Sequence, residues 1–282
     1  MFVLQSFAKI NWGLWLLGKR PDGYHEIFTP LQKISLCDYI EIKPSRTLKV
    51  ITSNGIPQEE NFVYKGLLKF AQITGIEPEF EIFIDKRIPV GGGLGGGSSN
   101  LATVLDWVNR YFNNPLTREE LIEVLASISS DAPAFLCDGL ALAQGRGEKI
   151  ACLNNPRFKG ISVTLLVPEG ISSPTGYIYS KTNPSMFNTR QQVEQLKKML
   201  EKHVSPEEFA KYIENPLGEI FLSLHPEVKE DVDFLRKRCY KNIFVSGSGS
   251  SLYAVGSLTE CLKGKTLDRL KVRYKIIFSV TI

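Results

Sequence analysis

Twelve consecutive residues, Pro89-Val90-Gly91-Gly92-Gly93-Leu94-Gly95-Gly96-Gly97-Ser98-Ser99-Asn100, carry six glycines within seven positions. Backbone stripped of side chains lets its N–H groups close on an anion that any Cβ would hold away. Leu101, Val104, Leu105, Val108 and Tyr111 follow at helical spacing, so the loop feeds a helix N-terminus, whose dipole also favours negative charge. Phosphate binding suits this arrangement better than a linker does. Two familiar phosphate loops do not fit. Gly91-x-Gly93-x-x-Gly96 matches a dinucleotide fingerprint, but Asp106 and Glu119 are poorly placed to supply its acidic residue about 20 positions on. The Walker pattern fails because Ser98 stands where its lysine belongs, and the His-Arg-Asp and Asp-Phe-Gly triplets of protein kinases are absent.

Four further groups have chemistry to offer. Lys9 interrupts an apolar strand pattern, either on an exposed face or held against an anion, and Asn11, two residues on, shares its face. Asp131 lies in Ser129-Ser130-Asp131-Ala132-Pro133-Ala134-Phe135, where a carboxylate serves either as a helix cap or as a fixed base. Pro21-Asp22-Gly23 is a turn with a mechanism, and Tyr24 and His25 leave it as a flat ring beside a polar ring. Ser246–Ser251 alternates serine with glycine, as a hairpin or as backbone lining for a site.

The elements that must hold these groups are of both kinds. Strands are expected over Ala8–Leu17, Gln32–Ile42, Thr47–Thr52, Glu81–Ile84, Leu140–Gln144, Gly160–Val167, Asn242–Val245 and Leu252–Val255. Helices are expected over Asn61–Ile73, after the glycine loop, over Leu116–Ile128 behind a Thr117-x-x-Glu120 capping box, and over Thr189–His203 and Ser205–Ile213. Asn154-Asn155-Pro156 reads as a linker. The 282 residues suffice for two modest domains; a net charge of +4 with interspersed signs excludes a nucleic-acid tract and suits a small anionic ligand. Met1–Leu17 is apolar but broken by Lys9 and Asn11 with no cleavage site after it, and no run approaches a membrane span. Five cysteines without a Cys-x-x-Cys pair, and only three histidines, argue for reduced thiols in the cytoplasm acting as small core residues.

Taken together, Ala8-Lys9-Ile10-Asn11, Pro89–Asn100 and Ser246–Ser251 resemble the three motifs of the galactokinase, homoserine kinase, mevalonate kinase and phosphomevalonate kinase (GHMP) superfamily. Within it, Gly18–Glu26 and Ser130–Phe135 are similar to the branch that phosphorylates the 2-hydroxyl of a diphosphocytidyl-linked polyol in non-mevalonate isoprenoid precursor biosynthesis. The resemblance implies a two-domain α+β fold, residues 1–155 forming a ribosomal-protein-like domain and 156–282 a ferredoxin-like one. ATP and Mg2+ would be the cofactors and a small molecule the only partner, with no nucleic acid and no membrane. Pro89, Val90, Gly91, Gly92, Gly93, Leu94, Gly95, Gly96 and Gly97 would wrap the ATP phosphates, and Ser98 or Ser99 would bond phosphate oxygen or magnesium. Asp131 would be the base, with Lys9 paired to it, and Asn11 would contact the substrate. Tyr24 and His25 would read the cytosine, and Tyr179 would be its second face, with Tyr177 as the fallback because both share a side of an extended segment.

Overall fold

In the computed structural model, described for residues 1–238, 242–256 and 264–282, two sheets share a buried junction. The first contains β1 (Phe2–Asn11), β2 (Trp15–Lys19), β3 (His25–Pro44), β4 (Lys49–Thr52), β5 (Phe80–Asp85), β6 (Leu140–Gly145) and β7 (Lys149–Leu153). The second runs in the order β11-β8-β10-β9, from β8 (Ser162–Pro168), β9 (Ile243–Val245), β10 (Leu252–Val255) and β11 (Tyr274–Val280). Between them in sequence lie the helices α1 (Phe62–Thr74), α2 (Gly96–Tyr111), α3 (Arg118–Ile128), α4 (Thr175–Ser180), α5 (Arg190–Glu201), α6 (Pro206–Phe209), α7 (Pro216–Leu224), α8 (Pro226–Arg238) and α9 (Lys265–Lys271).

The 20-residue β3 organises the first sheet. Its N-terminal part pairs with β2 and β6, and its C-terminal part with β5, while β1 runs along Leu31–Ile42. That register sets Lys9 opposite Lys33 and Asn11 opposite Leu31. α1, α2 and α3 bury Val63, Leu67, Phe70, Leu101, Val104, Leu105, Leu121 and Val124 against Ile40, Ile42, Ile82 and Ile84 of the sheet. Gly66 is the closest point of this packing, since a Cβ there would lie 2.3 Å from Leu101 Cδ1. A second core gathers Trp12, Trp15, Phe28, Phe158, Leu165, Phe209 and Tyr253 where the two sheets meet, with edge-to-face contacts of Trp12 on Phe158 and Tyr253. A third packs α7, α8 and α9 on the second sheet through Leu217, Phe221, Val232, Leu235 and Leu270.

Some expectations need correction. Cys137 and Cys152 form a disulfide, because the β6–β7 hairpin carries Cys152 of β7 back beside Cys137; Cys37 is free and buried. Cys239 and Cys261 lie outside the described residues. Asn155 is no linker residue: it is buried, caps a short turn and donates to the Leu200 carbonyl at 2.9 Å. The stretch holding Tyr177 and Tyr179 is the helix α4 rather than extended chain, so its two tyrosines face different ways. Tyr177 is exposed under the Lys181 ammonium, and Tyr179 turns inward.

One buried ion pair fixes the approach to the glycine loop. Asp38, fully buried on β3, accepts from the Arg87 and Ile88 N–H groups at 2.7 and 2.8 Å and from Asn100 Nδ2 at 2.9 Å, and pairs with Lys86. Both ends of the loop, Ile88 before it and Asn100 after it, are therefore tied to one carboxylate. Asp38→Ala leaves Lys86 buried without its counter-charge and is expected to cost about 3–5 kcal/mol of stability. Urea unfolding checks this, and a loss under about 1 kcal/mol would show that the pair is not what holds the loop.

Candidate functional site

A cleft of about 1070 Å³ runs past the glycine loop, more than the roughly 300–1000 Å³ of a usual single-ligand site. Three stations line it. At one end stand Thr52, Ile56, Asn61 and Phe62; the loop Pro89–Ser98 occupies the middle with Lys9, Asn11 and Asp131; Tyr24, His25 and Tyr179 stand at the other end.

The glycine loop is held by its carbonyls. Gly92 O accepts from Ser251 N–H at 3.1 Å, Gly93 O from Lys9 Nζ at 2.9 Å and Ser246 Oγ at 3.1 Å, and Leu94 O from Lys9 N–H at 3.0 Å. Among the described residues, no partner takes the N–H groups from Gly91 to Gly97, which remain free for an anion. The loop can lie this close only without side chains. A Cβ on Gly93 would be 2.4 Å from the Ser246 carbonyl, and Gly91, Gly93 and Gly95 all hold φ near +70°. Gly95 caps α2 without a side chain, so the first turn of that helix presents bare N–H groups as well.

The two serines that open α2 differ. Ser98 lines the cleft, with its hydroxyl 2.7 Å from Ser129 Oγ. Ser99 is buried and its hydroxyl accepts from Ser6 at 2.8 Å, in a network that Asn100 extends to Asp38.

Lys9 and Asp131 meet. Lys9 is buried, and its ammonium donates to Asn11 Oδ1 at 2.7 Å and to Gly93 O and lies 3.3 Å from Asp131 Oδ2. Asp131 precedes a short turn, Ala132–Leu136, that begins with Ala-Pro; its carboxylate makes no cap bond and is partly open to the cleft. Asn11 uses its amide nitrogen on Thr29 Oγ1 at 2.8 Å, which fixes its oxygen toward Lys9. At the far end Tyr24 is 52% exposed, leaving a ring face available to a ligand. His25 is buried, with Nε2 2.9 Å from Thr182 Oγ1 and the Tyr179 ring 5.1 Å away at a 32° tilt. Burial, reinforced by the Lys19 charge, lowers the His25 pKa, and burial together with the Asp131 carboxylate raises that of the Tyr179 phenol, so both rings are neutral at pH 7.

Sequence reasoning missed Asp38 and Lys86, and also Asn215. Asn215 caps α7 and donates to the Val245 and Gly247 carbonyls at 2.9 and 2.8 Å, which holds the Ser246–Ser251 loop against the glycine loop. An Asn-Pro-Leu cap was the only local sign.

A glycine loop with free N–H groups at a helix start beside a Lys–Asp pair fits a small-molecule kinase, and residues 61–139 match the model of the GHMP kinases N terminal domain. A protein of Sulfurihydrogenibium sp. named 4-diphosphocytidyl-2-C-methyl-D-erythritol kinase is 41% identical over 97% of this chain and 100% of its own length. One of the same name from Persephonella marina is 43% identical over 91% of this chain and 92% of its own. The crystal structure of a 4-(cytidine 5'-diphospho)-2C-methyl-D-erythritol kinase superposes with a TM-score of 0.78 at 26% identity, covering 99% of both chains. The chain belongs to the 4-diphosphocytidyl-2-C-methyl-D-erythritol kinase family and has the mixed α/β fold of the GHMP kinases.

The geometry separates two kinds of glycine. Gly97 has helical backbone, faces the cleft and would set a Cβ 3.3 Å from the Phe62 ring, so Gly97→Val is expected to weaken ATP binding about 10-fold or more while leaving the melting temperature nearly unchanged. Gly95→Val, with positive φ and a Cβ 2.8 Å from Phe135 Cζ, should lose stability as well as ATP binding. Calorimetry and thermal melts of the two variants check both; equal behaviour would remove the distinction.

Proposed function

We propose that this cleft transfers the ATP γ-phosphoryl group to the 2-hydroxyl of 4-diphosphocytidyl-2-C-methyl-D-erythritol, giving the 2-phosphate and ADP. The observation that carries the reading is the Lys9 Nζ–Asp131 Oδ2 contact, set between the loop with free N–H groups and the aromatic end of the cleft. Asp131 takes the hydroxyl proton as that oxygen bonds to the γ-phosphorus. The bond from phosphorus to the β–γ bridging oxygen breaks, and its electron pair leaves on ADP. Lys9 orients the carboxylate and offsets charge at the reacting oxygens, and Asn11 is placed to contact the substrate beside it.

The N–H groups of Gly91–Gly97 hold the ATP phosphates, and the Thr52–Phe62 end gives adenine a partly apolar recess. Among the described residues there is no cluster of three or more His, Cys, Asp or Glu able to hold a metal alone. Magnesium carried on ATP needs only one or two protein oxygens, and Ser98 Oγ, which lines the cleft, would supply one. When bound, it neutralises phosphate charge. Tyr24 stacks on the cytosine, His25 bonds its edge, and Tyr179 backs the His25 ring and closes the pocket. The division into residues 1–155 and 156–282, ribosomal-protein-like and ferredoxin-like, is supported by the sheets, the first ending at Leu153 and the second beginning at Ser162.

Asp131→Asn should lower kcat by a factor on the order of 100 or more, with ATP affinity and melting temperature retained. Near-normal turnover of the folded variant would reduce Asp131 to a positioning residue. Tyr24→Ala should raise KM for the diphosphocytidyl substrate roughly 5- to 150-fold without moving KM for ATP, the scale of one lost base stack. The converse pattern would transfer Tyr24 to the nucleotide side.

A pH profile tests His25 separately. Its pKa is lowered from the ordinary 6.5 by burial and then by the Lys19 charge, so the neutral ring predominates at pH 7 and takes its proton at lower pH than a free imidazole does. KM for the diphosphocytidyl substrate should therefore rise on acidification with a midpoint below that of a free imidazole. A midpoint at or above pH 6.5 would contradict a neutral His25 at the cytosine edge.

A further inference from the structure

We infer that Arg146 is the cation that meets the substrate's diphosphate, an inference that rests on the cytidyl reading of the Tyr24–His25 end. Four Lys or Arg side chains line the cleft: Lys9, Lys19, Lys86 and Arg146. Lys9 is engaged with Asp131 and Lys86 with Asp38. Among the described residues, Lys19 Nζ and the Arg146 guanidinium form no ion pair within 4.0 Å, although the Arg146 charge reaches the exposed Asp22 carboxylate. A desolvating anionic ligand draws on charge that is not already neutralised, so these two remain as candidates.

Position chooses Arg146. It stands at the tip of the β6–β7 hairpin, between Gly145 and Gly147, whose φ values of 73° and 115° make a turn that other residues rarely adopt. The tip is pinned by the Arg146 N–H on Glu148 Oε2 at 2.7 Å and the Gly147 N–H on Gln144 O at 3.0 Å. On one side the tip touches the transfer point, a Cβ on Gly147 lying 3.7 Å from Asp131 Oδ1. On the other, the Arg146 guanidinium reaches over the Tyr24 ring, its carbon 5.1 Å from the centroid. The hairpin tip therefore stands between the base-reading ring, met by Arg146, and the base that deprotonates the hydroxyl, met by Gly147. A diphosphate joining cytidine at Tyr24 to a polyol at Asp131 has to pass this tip. A guanidinium fork presents paired donors to phosphate oxygens, which a lysine ammonium does not. Lys19, by contrast, sits beside His25, at the base rather than along the linkage.

The rival role is a shelf, in which Arg146 does no more than support the Tyr24 ring by its cation–π contact, and two probes separate the roles. Cytidine has the base and no phosphate, and cytidine 5'-diphosphate has both. By calorimetry on the full chain, Arg146→Ala should weaken the diphosphate about 10-fold or more and leave cytidine within about 2-fold, with Arg146→Lys in between. Equal weakening of both probes, or no change in the diphosphate, would overturn the inference. Tyr24→Ala is the companion variant and should weaken both probes alike. If it leaves cytidine binding unchanged, the cytidyl reading itself fails. If it weakens both while Arg146→Ala weakens neither, that reading stands and only the role of Arg146 falls.

Discussion

A buried ammonium is tolerable only when each of its donors has a partner, and the site is arranged around meeting that condition for Lys9. Its Nζ donates to Asn11 Oδ1 and the Gly93 carbonyl and forms an ion pair with Asp131 Oδ2, so one side chain joins β1, the glycine loop and the carboxylate at the head of the Ala132–Leu136 turn. Its own backbone N–H takes the Leu94 carbonyl, which draws the loop onto the strand a second time. Gly95 follows from the same contact, because a Cβ there would sit 3.1 Å from the Lys9 stem. The bare backbone thus serves the lysine before it serves any ligand.

The direction of the loop's peptide groups comes from the same constraint. With the carbonyls of Gly92, Gly93 and Leu94 claimed by Ser251, Lys9 and Ser246, the opposite ends of those peptide units face away from the protein. Partner-free N–H groups are costly in a core but not at a wet cleft, where water or an anion can take them. Two of the groups claiming the carbonyls, Ser246 and Ser251, belong to the loop between β9 and β10. The second sheet therefore helps to shape a glycine loop that is wholly encoded in the first half of the chain, and Asn215 holds that second loop in place by its carbonyls in turn.

What was legible in the sequence was local. Six glycines before a periodic helix declare themselves, as does the Thr117–Glu120 capping box, because cause and effect lie within one turn of chain. The pairing of Lys9 with Asp131 came only through family resemblance, since nothing near either residue names the other. Asp38 was passed over inside a strand and Lys86 inside a charged turn; only the β3–β5 register, with Tyr39 opposite Asp85, brings them together. Ser98 and Ser99 looked equivalent, yet the roughly 100° step of a helix turns one to the cleft and the other to Ser6. Two such steps, about 200°, separated Tyr177 from Tyr179 once their segment proved to be helical. Disulfide formation at Cys137 and Cys152 likewise depended on a hairpin register that spacing alone does not reveal.

The charges of the cleft divide by whether the fold has already used them. Lys9 and Lys86 are buried and matched to carboxylates, and such pairs give rigid geometry but little net field. Attraction for a polyanion must then come from sources without a close counter-ion: the loop N–H groups, the start of α2, and the cations that form no ion pair. This accounts for a chain of only +4 serving two phosphate-bearing ligands without a basic tract. It also separates the two ends of the cleft chemically. On the proposed reading, ATP phosphates would meet fixed backbone dipoles, whereas the other ligand would meet side chains on turns, Tyr24 and Arg146, that its base and its phosphates could engage independently.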